Sequence, residues 1–279
     1  MSDYLHCPRA YYLKNVYKDP KTNSKIQIMS PALALGQAVH ETLEALSVLR
    51  VEERFSTPLP ERFAKNWEKI SGKKGGFFDE QTERKYRRRG EEMIARVFNH
   101  PGPIKRKAVK ITDDLPHFWL SEQDEIILCG KIDWLEYLPD EDAVHIIDFK
   151  TGKSRESDDS MQLPIYHLLV SRCQGREVVK ASYWYLETDN DLTEKELPDL
   201  QKAEKDIMDV ARKIKLARQL KKFDCPEGSG GCRDCLPFER VLKGDAEFVG
   251  KDTFGRDTYI LPFTKVEQGT TEGAQSIIL

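Results

Sequence analysis

The stretch AVHIIDFKTG at 143–152 constrains this chain more than any other. Its apolar run reads as a buried strand, and that strand ends in a charged pair, Asp148 and Lys150, ahead of a turn at Gly152. Side chains at i and i+2 of a strand share a face, so Asp148 and Lys150 point together. An earlier run, GKIDWLEYL at 130–138, is separated from it only by Pro139-Asp140-Glu141-Asp142, an acidic turn with proline that reads as a hairpin loop. Pairing the two strands lets Asp133 meet Asp148 and Lys150 across the hairpin. Two carboxylates suit a hard divalent cation, Mg2+ or Mn2+, which prefers oxygen ligands and keeps waters. One such water can become a nucleophile toward a phosphodiester, with the Lys150 ammonium orienting it, helping to deprotonate it, or offsetting charge on the phosphorus. A plainer reading is an ordinary salt bridge at strand ends, and the apolar run ahead of Asp148 weighs against it.

Around this hairpin the pattern is helical first and β-rich later. Residues 3–18 have a helical spacing of tyrosines and aliphatics, and the run after Pro31 places Leu33, Leu35, Val39, Leu43 and Leu46 on one helical face with His40 inside it. Helices are expected at 60–70 and 79–99, separated by a glycine-rich turn at 72–76. Strands are expected at 108–111, 117–120, 125–138 and 143–149 as a meander, then a helix over 161–173 with Ser157-Asp158-Asp159-Ser160 as its N-cap region. A strand at 178–188 and a basic helix at 198–222 complete an α-rich then β-β-β-β-α-β-α order.

The 279 residues suffice for one elaborated domain or two ordinary ones, and six cysteines in that length exclude a miniature disulfide scaffold. No apolar stretch approaches the ~20 residues that span a bilayer, and no signal-peptide pattern opens the chain, so the cytoplasm is the expected compartment. There, cysteines serve as thiols, metal ligands or reactive groups rather than disulfides. The net charge of −3 says nothing about local patches. Basic runs occur at Arg84-Lys85-Tyr86-Arg87-Arg88-Arg89, at Lys105-Arg106-Lys107 and along 202–222; each either grips phosphates or is a solvated helix face.

Downstream, Gln162 and Tyr166 stand four apart on one helix face, where an amide and a phenol can bond phosphate or sugar oxygens and a ring can stack on a base. Without context, core filling or capping is the commoner role for such a pair, as packing is for a lone helical histidine such as His40. Five elements in order, YLHCPRAYYL at 4–13, LGQAVHETLEAL at 35–46, GKIDWLE at 130–136, DFKTG at 148–152 and QLPIYHLL at 162–169, make the chain resemble the RecB-like (AddB-like) nucleases of the PD-(D/E)XK superfamily, a group that includes CRISPR-associated spacer-acquisition exonucleases. The resemblance implies that His40, Asp133 and Asp148 bind the metal with the Phe149 carbonyl, that Lys150 is catalytic, and that Gln162 and Tyr166 contact DNA. Relatives of this kind carry a few more residues ahead of the first element, so Met1 is expected to be a late start.

Cys225, Cys232 and Cys235 lie in CPEGSGGCRDC, a glycine-rich loop able to wrap a metal centre. The resemblance supplies the fourth ligand, Cys7, and implies a 4Fe-4S cluster stapling the two chain ends. Thiolates suit zinc as well, and many relatives carry a third cysteine near the position of Val241 instead of an upstream one. Cys129 and Cys173, in apolar surroundings, are expected to be buried core thiols.

The expected fold is thus α/β, a restriction-endonuclease-like core with a central mixed sheet, a helical N-terminal portion and a cysteine-bound staple, covering 1–240, with an extension at 241–279 of no assigned role. The expected function is metal-dependent hydrolysis of single-stranded or end-bearing DNA, as an exonuclease in repair, recombination or CRISPR spacer processing. No GxxxxGK[ST] loop is present, so unwinding falls to a helicase partner, or the chain works beside a CRISPR integration partner. The rival is a nuclease-fold module that binds DNA or a partner with hydrolysis secondary. No membrane is involved.

Overall fold

The computed structural model describes residues 1–262 except 112 and 114. Along the chain run α1 (Ser2–His6), α2 (Pro8–Tyr11), a π-helical turn (Tyr12–Val16), β1 (Ile26–Ile28), α3 (Pro31–Glu44), α4 (Leu59–Glu68), α5 (Glu80–Asn99), β2 (His117–Ser121), β3 (Ile126–Cys129), β4 (Trp134–Leu138), β5 (Ala143–Lys150), α6 (Gln162–Cys173), β6 (Val178–Tyr185), β7 (Thr193–Lys195), α7 (Leu200–Leu220), α8 (Leu236–Lys243), β8 (Glu247–Lys251) and β9 (Asp257–Ile260). The described residues divide into two compact units, one of 1–34, 70–84 and 210–262, the other of 35–69 and 85–209.

The second unit is built on a mixed sheet in the order β4-β5-β6-β7. β5 is buried along its whole length, as its apolar run requires. It pairs antiparallel with β4, Trp134 opposite Ile147, and parallel with β6, Ile147 opposite Ser182. The parallel step is crossed by α6. On one face Leu135, Val144, Ile146, Ala181 and Tyr183 pack with Leu163 and Val170 of α6. The alternate residues place Trp134, Phe149 and Trp184 in ring contact, centroids 6.1 to 6.4 Å apart. His145 bridges neighbouring strands, its Nδ1 2.9 Å from Glu136 Oε2 and its Nε2 2.8 Å from Ser182 Oγ, so these buried polar groups on the sheet satisfy one another. Helix α5 approaches α4 closely at Gly90, where an added Cβ would lie 2.3 Å from the Phe63 ring.

In the first unit β1 pairs parallel with β9, and β9 antiparallel with β8, so part of the 241–279 extension forms sheet with residues near the chain's start. Residues 263–279 of that extension lie outside the described residues.

Two expectations change. The meander is two separate hairpins, because 130–133 is irregular: β2-β3 stands apart from the four-stranded sheet, and the expected strand at 108–111 is reduced to an Ala108–Glu136 bridge. Cys129 is exposed and Cys173 half-buried, not core thiols. For Cys129 the cause is the same, since a two-stranded hairpin buries one face at most and Leu128 is turned inward while Ile127 and Cys129 are not; Cys173 is the last residue of α6, at the margin of the core it packs against. The basic run at 84–89 is largely neutralised along its helix, with Arg84–Glu80, Arg87–Glu91 and Arg88–Glu92 pairs at 3.0 Å, the solvated-face alternative. In front of α6, Ser160 Oγ accepts the Gln162 N–H at 3.3 Å, although the helix is flanked by Met161 without a side-chain cap.

Candidate active site and cysteine centre

The β4-β5 register, continued one residue past Trp134–Ile147, sets Asp133 opposite Asp148. Asp133 occupies the bend just before β4 rather than the strand itself. Its Oδ2 accepts the Phe149 N–H at 2.8 Å, which fixes the carboxylate against β5. From α3, His40 Nδ1 lies 3.3 Å from Asp133 Oδ1 and 3.3 Å from Glu44 Oε1, one turn further along the helix. Gly36, in the same helix, is what admits α3 near the loop after β5: a Cβ there would stand 3.3 Å from Thr151 Oγ1.

Around Asp148 the bonds are dense. Lys150 Nζ is 2.9 Å from Asp148 Oδ2 and 3.1 Å from Glu156 Oε2, and sits 4.8 Å from the Tyr183 ring centroid. Gln162 Nε2 donates to Asp148 Oδ1 at 2.9 Å and to Tyr166 Oη at 3.0 Å, while Gln162 Oε1 accepts from Lys150. All the residues expected from the sequence, His40, Asp133, Asp148, Phe149, Lys150, Gln162 and Tyr166, therefore meet in one place. Two more belong with them, Glu44 and Glu156, which sequence reasoning missed. The i, i+4 spacing in HETLE was a usable signal for Glu44. Glu156, in an irregular loop, gave none.

The electrostatics follow from burying so many charges together. Burial and then the neighbouring Asp133 charge push Asp148 up to about 7, against the opposing pull of Lys150. Burial also raises Asp133, but the His40 charge and hydrogen bonds outweigh it and hold this carboxyl below its ordinary range. His40 is disfavoured as a cation by burial, yet Asp133 and Glu44 lift it well above its ordinary value. Lys150 likewise loses solvation, and Asp148 and Glu156 keep it a cation.

This donor set fits a divalent cation. Asp148 Oδ2 is buried and accepts no well-aligned hydrogen bond despite its ion pair, and the ligand atoms of His40, Glu44 and Asp133 lie within 4.8 Å of one another. A cation among them would relieve the Asp133–Asp148 repulsion, and imidazole with carboxylate oxygens is a suitable set for Mn2+ or Mg2+. Bound there, it would supply Lewis acidity toward a phosphoryl oxygen. The chain's own groups do the rest: Lys150 holds positive charge beside the carboxylates, and Gln162 fixes Asp148 and Lys150 relative to each other.

In the first unit Cys7 joins Cys225, Cys232 and Cys235, all four buried, with their sulfurs within 4.8 Å of one another. Cys235 Sγ stands 3.8 Å from both Cys232 Sγ and Cys225 Sγ. Gly231, at φ +78°, shapes the loop where a side chain would be strained. Desolvation raises the Cys7 thiol to about 12 and Cys235 to about 11, whereas backbone N–H groups lower Cys232 in spite of its burial. Four sulfurs this close, without a disulfide, could hold a metal ion or cluster, and a cation there would take the place of the thiol protons.

A family model described as the PD-(D/E)XK nuclease superfamily matches residues 1–240. The chain belongs to this superfamily. No curated protein and no solved structure matches it. Membership of the PD-(D/E)XK superfamily makes it a metal-dependent nuclease with DNA as its substrate class, on a mixed α/β fold with a buried four-cysteine group near its termini. No helix among the described residues is long and apolar enough to cross a membrane.

Proposed function

We propose that the chain is a RecB-like exonuclease that hydrolyses single-stranded or end-bearing DNA with Mg2+ or Mn2+. The observation that carries this reading is the meeting of Asp133 and Asp148 beside His40 and Lys150, two buried carboxylates that repel each other unless a proton or a cation stands between them. In this reading His40, Asp133, Asp148 and the Phe149 carbonyl hold the metal. Lys150 is the catalytic cation, offsetting charge that develops on the phosphorus. Gln162 and Tyr166 meet the strand from α6 while steadying Asp148. The pathway is DNA repair and recombination or CRISPR spacer processing, with a helicase or an integration complex as partner.

The test is a comparison of end-labelled linear strands with a closed single-stranded circle, Mn2+ present. Shortening of the linear strands with the circle intact is the expected result; linearisation of the circle would replace the exonuclease by an endonuclease.

The four-cysteine centre is read as a 4Fe-4S cluster. A second reading, zinc, is favoured by one observation. A tetrahedral ion with ~2.3 Å bonds to sulfur sets its ligands about 3.8 Å apart, and the Cys235 separations have that value. A four-iron cluster would hold the sulfurs wider. Metal and sulfide analysis of anaerobically purified protein separates the two: iron with acid-labile sulfide supports the cluster, zinc without sulfide replaces it.

A further inference from the structure

A cavity of about 490 Å³ opens in the second unit between the segment after α3 and the segment before β2. Its lining includes Arg50, Arg54, Lys107 and Arg176 against the single carboxylate of Glu52. Two of these cations are engaged elsewhere, Arg50 with Glu53 and Arg176 with Asp142 at 2.9 Å. The other two are not. Lys107 is exposed and has no ion pair among the described residues. Arg54 is only 2% exposed and has no carboxylate partner among them either. Its guanidinium lies 4.9 Å from the Trp134 ring centroid and is held by backbone carbonyls alone: Nε donates to Leu46 and Leu49 at 3.1 and 3.2 Å, Nη1 to Ile104 and Arg106 at 2.7 and 2.6 Å. Nη2 has no hydrogen-bond partner among the described residues and is not sealed from solvent.

A buried guanidinium held rigidly by carbonyls, with one edge free and only the field of Glu52 rather than an ion pair against it, favours an anion with acceptor oxygens. The wall that carries Lys107 is also fixed, because Tyr137 N–H donates to the Lys107 carbonyl and Val109 N–H to the Leu135 carbonyl, each at 2.8 Å, along the edge of β4. The cavity adjoins the candidate active site: Ser47 and Val109 line it and also line a smaller cavity of about 30 Å³ that reaches Asp133. Of the three basic runs in the sequence, Lys105-Arg106-Lys107 is the one that reaches this cavity, through Lys107 alone.

Resting on the nuclease reading, we propose that this cavity is a phosphate subsite, taking a backbone phosphate of the DNA strand some nucleotides from the bond that is cut. Arg54 supplies the fixed donor edge and Lys107 the unpaired charge at the mouth, with the Asp142-paired Arg176 beside it. The subsite would set the strand's path past Asp133 without touching the reacting phosphate.

The test measures binding of a fluorescein-labelled single-stranded oligonucleotide at several salt concentrations. It uses the full chain in a Lys150→Ala background that keeps the probe intact, with hydrolysis by the Lys150 parent followed separately. Lys107→Gln and Lys107→Gln with Arg176→Gln alter exposed side chains, so folding is not at stake; Lys74→Gln removes an equal charge elsewhere. Expected are a several-fold rise in Kd for Lys107→Gln, a larger one for the double variant, and a salt slope shallower by about 0.7 for each phosphate no longer neutralised, with Lys74→Gln unchanged. Unchanged Kd and slope in both cavity variants, while the parent binds and cuts DNA, would overturn the subsite and leave the nuclease standing. A parent that neither binds nor cuts would remove the nuclease reading and the subsite with it. A deoxynucleoside monophosphate arm distinguishes the source of the phosphate: competition at low concentration, abolished in the variants, would assign the cavity to the free nucleotide and overturn the strand subsite.

Discussion

Single side chains in this site are intelligible only as a set. Asp148 at about 7 and Asp133 below its ordinary range are two halves of one effect, burial of two carboxylates with a single nearby imidazolium. The pH consequence has a definite sign. In the metal-free chain the folded Asp148 pKa lies above its unfolded value of 3.8, so protonation stabilises the fold below that value, and the contribution is lost as pH rises toward 7. His40, raised well above 6.5, adds a contribution of the same sign that persists to higher pH. A cation needs both groups deprotonated. Calorimetry of Mn2+ binding in buffers of different ionisation enthalpy should therefore show proton release, approaching two per ion near pH 6 and losing the Asp148 share above about 8. Asp148→Asn should release one fewer, and binding without proton release at pH 6 would show that the ion is held elsewhere. Asp133, Asp148 and Lys150 were legible because strand periodicity and a short acidic turn fix their relation. His40 needed the resemblance, since a helical histidine alone has no direction, and Glu156 was invisible because an irregular loop has no period to read.

At the scale of elements, apolar spacing determined most of what formed. β5 and α5 follow from it within a residue or two, and α3 begins where expected but ends at Glu44, before the apolar run does. β1, β7, α8, β8 and β9 were missed: the β segments are short and of ordinary polarity and depend on partners distant in sequence, as β1 does on β9, while α8 follows the cysteine loop in a region given no element. The break at 130–133 was missed for the opposite reason, because one apolar run covers two strands that pair with different neighbours. Helix packing offers a test in which two effects oppose. Gly to Ala in a helix normally gains up to ~1 kcal/mol of propensity, but at Gly90 the added methyl meets Phe63 at 2.3 Å and Leu35 at 3.0 Å in a filled core, an overpacking cost of ~1 to 3 kcal/mol. Gly90→Ala should lower the melting temperature by a few degrees; a rise would mean that α4 and α5 accommodate the methyl and the close approach is unimportant.

Over the whole molecule, chemistry is split between two units, the carboxylate site in one and the cysteine centre in the other. Cysteines from both ends of the matched region converge in the first unit, where Tyr12 also stacks on Phe223 at 4.9 Å. Binding a metal to those four thiols contributes directly to folding free energy. Cys7→Ser, or removal of the metal, should accelerate hydrogen exchange over 3–17 and 223–243; exchange unchanged there in protein proven metal-free would mean that aromatic packing alone holds the segment. The central claim is that Asp133, Asp148 and Lys150 form a metal-dependent phosphodiesterase site. The most direct measurement is hydrolysis of end-labelled single-stranded and duplex DNA with Mn2+, Mg2+ or chelator, by the parent and by folded, DNA-binding Lys150→Ala. Cleavage that requires the cation and falls by about 10² to 10³ in the variant, the scale of a lost electrostatic donor, is the expected result. Cleavage by Lys150→Ala at the parent's rate, or by the parent in chelator, would contradict it.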